Sequence, residues 1–527
     1  MSSSASQGVA RSAAGVALAT FGSRILGYVR DMLVAAYLGT GPVADAWVVA
    51  YQIPNLFRRL FGEGALQASF VPVFVGLRQQ SGEDEGWRLV CAMAAVLAAV
   101  LTGCVALGEL LAPALVRIMV PGFAADPEKM QLTVRLLRVT LPYLWLVSLA
   151  ALAMGILNGV RHFAMPALAP ILLNLAFIGY LGVLAPRWAG EDTPRLALGL
   201  GVAVLVGGAL QLAALAATAA AKGLHVVPTL WHPQVGTVIR RMAPAALGMA
   251  VYQVNVLVDK LCASFSGIVG EGAVSALYYG FRLMALPLGL FAIAIATTVF
   301  PTLASAASED DREGFRTSLG DAMRWALALT VPSAVGLAVL RYPIVRLIFE
   351  RGAFGTASVD SVTQTVLFYS IGLAGYSGVH ILSRAFYSIG DTRTPVRAAC
   401  WALGANMALN VALMWPLRVG GLALATSLTA TLNAGILAVR LRRQMGPLGY
   451  GALARSGGRT AAAAAAMGLV CWAAARGVGA LGLPEGLPNS LAATAIPIAL
   501  GVASYLGALR LLGGTEVAEM ATAIRRR

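Results

Sequence analysis

Long apolar runs recur along the 527-residue chain, and they constrain its fold more than any other feature. Fourteen such runs are present, and most reach the length of about 20 residues that a helix needs to cross the hydrocarbon core of a bilayer. Charged residues make up only 12% of the chain, whereas a soluble domain carries about 25%. The sequence therefore predicts an all-α polytopic membrane protein. The runs are too long for a β-barrel, whose strands alternate over roughly 10 residues.

The loops between these runs predict the orientation. On one side of the membrane they carry more than twice as many arginines and lysines as on the other. Cytoplasmic loops collect positive charge, so both termini are predicted to lie in the cytoplasm. This distribution also accounts for the net charge of +15 without a nucleic-acid partner. We place the spans at residues 12–37, 43–70, 87–110, 131–158, 166–186, 195–221, 237–265, 272–304, 318–340, 358–388, 395–416, 419–441, 459–477 and 489–511.

An internal repeat relates the two halves of the chain. VADAWVVAYQI at 43–53, in the second span, aligns with AVSALYYGFRL at 273–283, in the eighth, and Pro166 aligns with Pro395 at almost the same offset. The near-constant offset predicts two pseudo-symmetric six-helix lobes, at 1–222 and 223–445, and two additional C-terminal helices with a tail at 446–527. Such repeats are a transporter design. A duplicated fold without transport stays open as the alternative.

Arginines inside predicted spans point to a function. Arg24 and Arg30 lie in the first span and Arg282 in the eighth. An arginine at a helix centre costs roughly 2.5–3.5 kcal/mol on insertion scales, so such a residue is a functional candidate. The guanidinium keeps its charge on burial and pairs bidentately with phosphate, which predicts a phosphate or diphosphate ligand. The other candidate binding residues, all in the first two spans, are Asp31, Asp45, Asn55, Arg58 and Arg59.

Internal ion pairs are the alternative interpretation of these charges. Arg24 and Asp31 are seven residues apart and share a helix face, whereas Arg30 points elsewhere. Arg58 and Arg59 lie near an interface, where long side chains extend towards headgroups. The excess of arginine over nearby acids favours an anionic ligand.

Four oxygen-bearing side chains form a candidate Na⁺ site: Asp259, Asn406, Asn410 and Thr426. Asn406 and Asn410 are four residues apart and therefore share a face of the eleventh span. The alternative is that the amides and the hydroxyl only join helices, while Lys260 neutralises Asp259.

Two segments carry a family resemblance. SRILGYVRDMLVAAYLG with ADAWVVAYQIPNLFRRLFGEGALQASFVPVF resembles the N-terminal signature of the MurJ/MviN family, the lipid II flippases of bacteria. YYGFRLMALPLGLFAIAIATTVFPTL resembles that family's eighth helix, and the likeness extends over essentially the whole chain. The family belongs to the multidrug/oligosaccharidyl-lipid/polysaccharide exporter superfamily, which implies two lobes around a central cavity. Its cavity residues match Arg24, Arg30 and Arg282 together with the other arginines and aspartates of the first two spans.

The resemblance implies export of lipid II, an undecaprenyl-diphosphate-linked disaccharide-pentapeptide. Transport would run from the cytoplasmic to the periplasmic leaflet of the bacterial inner membrane by alternating access. We expect no enzymatic step and no cofactor apart from coupling to Na⁺ or to the membrane potential. The expected partners are lipid II, membrane lipids and the division or elongation machinery.

Other functions stay open at this point. A related exporter of another polyprenyl-diphosphate-linked oligosaccharide would need the same arginines. A cation-coupled drug antiporter is expected to use acids without an excess of arginine. An enzyme acting on polyprenyl phosphates would need paired acids with a metal, or a nucleophile and its base. A scaffold of the division machinery predicts that Arg24 and Arg282 tolerate substitution.

Overall fold

The computed structural model describes residues 2–60, 66–225, 227–447, 450–481 and 486–525. Within these ranges all regular structure is helical, as the sequence predicts, and no strand is present. The chain divides into two compact units, one ending at Leu261 and the other beginning at Cys262. The predicted domain boundaries at residues 222 and 445 stay predictions.

Ten helices form the described part of the first unit, and short turns of other helix types lie next to some of them. A 3₁₀ turn at Pro121–Ala125 precedes α5, and a π-helical turn at Tyr180–Leu184 joins α7 to α8. Its helices are α1 Ser2–Leu38, α2 Pro42–Leu60, α3 Leu66–Ser81, α4 Glu83–Met119, α5 Pro127–Thr140, α6 Tyr143–Gly159, α7 Ala164–Gly179, α8 Ala185–Trp188, α9 Thr193–Ala221 and α10 Pro233–Ala263.

The second unit has a π-helical turn at Leu288–Ala292 between α12 and α13. Its longest helix, α18, consists of two helices that meet at Arg418, where φ is 51° and ψ is −134°. The helices are α11 Ser266–Val269, α12 Ala273–Pro287, α13 Ile293–Ser308, α14 Arg312–Val339, α15 Arg341–Phe349, α16 Thr356–Ile371, α17 Leu373–Ser388, α18 Arg393–Met445, α19 Tyr450–Ala480, α20 Leu487–Leu511 and α21 Glu516–Arg525.

Every predicted span coincides with a helix or a pair of helices. In the described ranges, nine helical segments are long and apolar enough to cross a membrane, or ten with the bent pair α16–α17. One of them, α18, holds the eleventh and twelfth predicted spans. The remaining spans coincide with α1, with α2 and α3, and with α10, which are less apolar. The helix α3 continues to Ser81, beyond the predicted end of the second span at residue 70.

The internal repeat recurs in the helix breaks. The fourth span breaks at Pro142, which lacks a backbone donor, and the tenth breaks at Gly372, within one residue of the equivalent position in the repeat. In each unit a threonine near the break tethers its helix to the second helix. Thr140 Oγ1 lies 3.2 Å from the carbonyl oxygen of Ala50, and Thr365 Oγ1 lies 3.2 Å from that of Ala276. Each hydroxyl shares its proton with a closer carbonyl of its own helix, at 3.0 Å for Thr140 and 2.7 Å for Thr365.

Glycines let α9 approach its neighbours closely in the first unit. A Cβ atom at Gly201 would lie 2.7 Å from Val139, and one at Gly207 would lie 2.7 Å from Leu173. Packing through small residues is typical of membrane helices. These contacts hold α5 and α7 in place, and both helices carry residues of the site described next.

Candidate functional site

Arg30 of α1 lies in a bonded cluster with α7. Its Nη2 donates to Asp31 Oδ1 at 2.8 Å, and its Nη1 donates to Asn174 Oδ1 at 3.2 Å. The guanidinium carbon lies 5.3 Å from the ring centre of Phe177, within the range of a cation–π interaction. The side chains of Arg30 and Asp31 are 12% and 4% exposed. Three neighbours therefore hold this predicted arginine in one orientation.

Asn174 supports that orientation, and the sequence analysis missed it. Its Nδ2 donates to the carbonyl of Ser23 at 3.1 Å, while its Oδ1 accepts from Arg30. A donor and an acceptor on opposite sides fix which way the amide faces. An asparagine in an apolar span gives a weak signal, because the same residue type also serves as packing.

The alternative pairing of Arg24 with Asp31 stays a prediction. Asp31 pairs with Arg30, although adjacent residues on a helix point about 100° apart. The arginine side chain is long enough to fold across that angle, so position on the helix face did not predict the pair. Arg24 is exposed on α1.

Asp45, at the start of α2, forms a buried ion pair with Lys129 in the first turn of α5. Lys129 Nζ lies 2.9 Å from Asp45 Oδ2, and both side chains are 2% exposed. The ammonium also lies 4.2 Å from the ring centre of Phe123. The Asp126 carboxylate caps α5 by accepting from the backbone N–H of Lys129. This bond fixes the start of the helix and the position of Lys129 in its first turn. In this structure Asp45 is therefore engaged within the first unit.

The second helix also receives a lysine from α10. Lys260 Nζ donates to Gln52 Oε1 at 3.0 Å and to the carbonyl of Val48 at 3.3 Å. Asn55, one turn further along α2, is half-buried. The side chains of Arg58 and Arg59 lie outside the described part of the structure, so their roles stay predictions.

Arg282 lies half-buried on α12 of the second unit. Its guanidinium carbon is 5.8 Å from the ring centre of Tyr278, one turn earlier. The neighbouring Tyr279 is 1% exposed and packs edge-on against Phe354 at 5.7 Å. The buried tyrosine anchors α12, and Tyr278 and Arg282 share another face of it.

The residues of the candidate Na⁺ site lie in both units. In the second unit Asn410 Nδ2 donates to Asn406 Oδ1 at 2.9 Å, and both side chains are fully buried. Thr426 Oγ1 donates to the carbonyl of Leu422 at 2.9 Å, within its own helix. Asp259 is half-buried on α10. The shared helix face of the two asparagines is confirmed, and cation binding stays a prediction.

Two histidines fasten the loop between α9 and α10 to the start of α4. His225 Nε2 lies 3.1 Å from Asp84 Oδ1, and His232 Nε2 lies 3.0 Å from Glu85 Oε1. The contact with Asp84 and the carbonyl of Gly223 raises the pKa of His225. The sequence gives no local signal for these contacts, because each histidine and its acidic partner lie far apart in the chain.

Comparison with known proteins identifies the family. The family model described as lipid II flippase MurJ matches residues 34–490. The probable lipid II flippase MurJ of Rhizobium tropici is 35% identical over 513 residues, which is 97% of this chain and 95% of the relative. The Vibrio cholerae relative with the same description is 34% identical over 512 residues, 94% of this chain and 95% of its own.

Solved structures agree with this result. Lipid II flippase MurJ in an inward closed conformation matches with a TM-score of 0.74 and 26% identity, covering 94% of this chain and 97% of that chain. An inward-facing multidrug resistance MATE family transporter of the MOP superfamily matches with a TM-score of 0.64 and covers 80% of this chain and 94% of its own. At 14% identity the second likeness concerns the fold alone. The chain belongs to the lipid II flippase MurJ family.

Proposed function

We propose that this protein exports lipid II from the cytoplasmic to the periplasmic leaflet of the bacterial inner membrane. Membership of the family, over nearly the whole chain, is the observation that carries the proposal. The intramembrane arginines supply the chemistry, because a guanidinium binds a phosphate group bidentately and keeps its charge on burial. The protein acts as a transporter, and no covalent step is needed.

Arg30 is the proposed primary ligand of the diphosphate. Asp31 and Asn174 hold its guanidinium through Nε, Nη2 and Nη1, so the group is oriented before the cargo arrives. A preorganised charge binds with a smaller ordering cost. Arrival of the phosphate replaces the bond to Asn174, while Asp31 retains its hold on the arginine.

Arg24 and Arg282 are the proposed additional ligands. Arg24 lies six residues before Arg30 on α1 and is exposed, so no rearrangement of its packing is needed for binding. Arg282 is stacked near Tyr278, which limits the directions in which it extends. The inner end of α2, with Asn55, Arg58 and Arg59, is the proposed entry rim.

Asp45 takes a different role in this proposal. Its carboxylate is buried 2.9 Å from the Lys129 ammonium, and breaking a buried ion pair of this kind is strongly destabilising. We assign Asp45 to stabilising the first unit and not to contact with the headgroup.

Resetting of the carrier is assigned to Na⁺ or to the membrane potential. Asp259, Asn406, Asn410 and Thr426 are the proposed Na⁺ ligands, since all offer oxygen atoms of the kind hard cations prefer. Moving one elementary charge across the membrane is worth about 2.3 kcal/mol per 100 mV, so the voltage alone is sufficient to bias a charged carrier. We propose that both termini lie in the cytoplasm, where they would contact the division or elongation machinery.

The proposal is tested by depletion of a host's own flippase. Wild-type protein is expected to restore growth and the exposure of lipid II to an external probe. Arg30→Ala, Arg24→Ala and Arg282→Ala, at matched abundance in the membrane, are expected to fail. Arg195→Ala is the matched control, because that side chain is 67% exposed and pairs only with nearby Asp192 in the described structure. Full rescue by all three variants would overturn the role of the arginines.

A further inference from the structure

An apolar groove lies on the outside of the first unit, between α4, α6 and α9. Its volume is about 590 Å³, within the range of pockets that hold a single ligand. Six of its lining residues come in pairs from the three helices: Val105 and Ala106, Trp145 and Leu146, and Leu205 and Ala209.

The groove offers almost no polar group to a ligand. Thr102 lines it, but its hydroxyl donates to the carbonyl of Ala98 within α4 at 2.8 Å. Pro142 lines it at the break of the fourth span and has no N–H. The groove therefore suits a hydrocarbon chain, and water or a polar ligand would gain nothing there.

A basic group lies at one end of the groove. Arg138 is one helical turn before Pro142, and Glu109 is one turn beyond Val105 on the antiparallel helix, so both lie at the same end. Arg138 Nε donates to the carbonyl of Glu109 at 3.4 Å and lies 4.0 Å from its carboxylate. In the described structure α4 holds only this Nε, and the side chain is 49% exposed. Among the described residues neither terminal nitrogen of this guanidinium has a hydrogen-bond partner, so both can donate to a ligand.

We propose that this groove binds one acyl chain of a membrane phospholipid, with Arg138 binding the lipid phosphate. The apolar lining and the arginine at its end match the two parts of such a molecule. Two phosphate oxygens can accept from the terminal nitrogens of the guanidinium, while its Nε stays beside Glu109. Because the predicted topology places this end of α4 at the periplasmic face, the lipid belongs to the outer leaflet. The site is separate from the diphosphate-binding arginines.

Photochemical labelling tests this site. The purified full chain is reconstituted into phosphatidylcholine vesicles that contain a trace of phosphatidylglycerol with a diazirine in its acyl chain. After illumination, labelled peptides are mapped by mass spectrometry, and the groove-lining parts of α4, α6 and α9 are expected to carry the label. Ala209→Trp fills the groove and is expected to lower that labelling about tenfold, which corresponds to about 1.4 kcal/mol.

Matched controls separate the two parts of the site. Leu107→Trp adds the same ring on α4, at a side chain that is 57% exposed and does not line the groove, and is expected to leave labelling unchanged. Arg138→Ala is expected to reduce labelling by the phospholipid but not by a diazirine diacylglycerol, which has no phosphate. Thermal unfolding in detergent confirms that each variant is folded, and Ala106→Leu replaces Ala209→Trp if that variant is not.

Three outcomes would overturn the proposal. The first is unchanged labelling in a folded groove-filling variant, which would mean that the chain lies elsewhere. The second is an equal effect of Arg138→Ala on the phospholipid and on the diacylglycerol. The third is loss of labelling on addition of a polyprenyl phosphate at equal mole fraction, which would assign the groove to the cargo's own tail.

Discussion

In the first unit, Asp45 of α2 and Lys129 of α5 form a buried ion pair. In the second unit, the equivalent positions of the repeat hold Ser275 and Ser358. Both serines are also buried, and the Ser275 hydroxyl donates to the carbonyl of Gly272 at 3.0 Å. The matching helices are joined by an ion pair in the first unit, whereas the second unit carries a buried serine at each of the two positions.

This difference shows that the packing of the two helices is common to both units, whereas the buried ion pair belongs to the first unit alone. In the second unit the matching helices α12 and α16 also pack against each other, with serines at these two positions, so the packing does not require the ion pair. Replacing a buried pair by neutral residues of similar volume is often neutral or stabilising, whereas removing one partner is strongly destabilising. The pair is therefore a feature of the first unit, which also carries Arg24 and Arg30.

The largest expected effect comes from breaking the ion pair on one side. Lys129→Met leaves the Asp45 carboxylate buried without its counter-ion and is expected to cost about 3–5 kcal/mol. The measurement is thermal unfolding in detergent. Ser358→Ala is the matched control in the second unit and is expected to change stability by less than about 1 kcal/mol.

A double substitution distinguishes the charge from the packing. Asp45→Asn combined with Lys129→Met is expected to recover most of the lost stability, because no buried charge remains. A double variant as unstable as Lys129→Met would contradict this explanation and assign the effect to shape.

A smaller and equal effect is expected from the two tethers. Thr140→Val and Thr365→Val each remove a buried hydroxyl that bonds to the second helix of its unit. Each is expected to cost about 1 kcal/mol in chemical or thermal unfolding, the usual net contribution of one such bond. A loss confined to one unit would show that the tethers are not equivalent.

The smallest effect is a pH-dependent change in the loop between α9 and α10 of the first unit. His225 has acceptors at both ring nitrogens, Asp84 Oδ1 and the carbonyl of Gly223, and Glu83 lies nearby. These groups raise its pKa above 6.5, so the contact is complete below that pH and is lost as the pH rises through the raised pKa.

Hydrogen exchange of residues 227–231 measures that change. Exchange is expected to accelerate as the pH rises above 6.5 and through the raised pKa of His225, after correction for the intrinsic rate. His225→Gln carries no titrating ring and is expected to remove the pH dependence. A pH dependence that persists in this variant would assign the titration to another group.

Composition and hydropathy predict most of the fold. The fourteen spans follow from the length of the apolar runs, because the thickness of the bilayer sets a minimum length for a helix that crosses it. The offset of the repeat also locates Pro142 and Gly372, the two helix breaks, at equivalent positions. The bounds of α2 and α3 were predicted less accurately. Polar residues are tolerated in helices that line the protein interior, and they interrupt the apolar runs from which the spans were predicted.

Contacts within the candidate site were predicted less completely. The arginines stood out because a charge in an apolar span is costly, and that cost is a local property of the sequence. The partners of Arg30 and Asp45 were not found in this way, because Asn174 and Lys129 lie 144 and 84 residues away. Only the folded structure brings those residues together.

Transport by the purified protein tests directly whether Arg30 is needed to move lipid II. Vesicles containing the protein and a fluorescent lipid II are assayed for movement of the headgroup to the face reached by an external quencher. Wild type and Arg195→Ala are expected to move lipid II at equal rates, and Arg30→Ala is expected to be at the rate of empty vesicles. Movement of lipid II by Arg30→Ala at the wild-type rate, in a folded and equally reconstituted protein, would contradict the account.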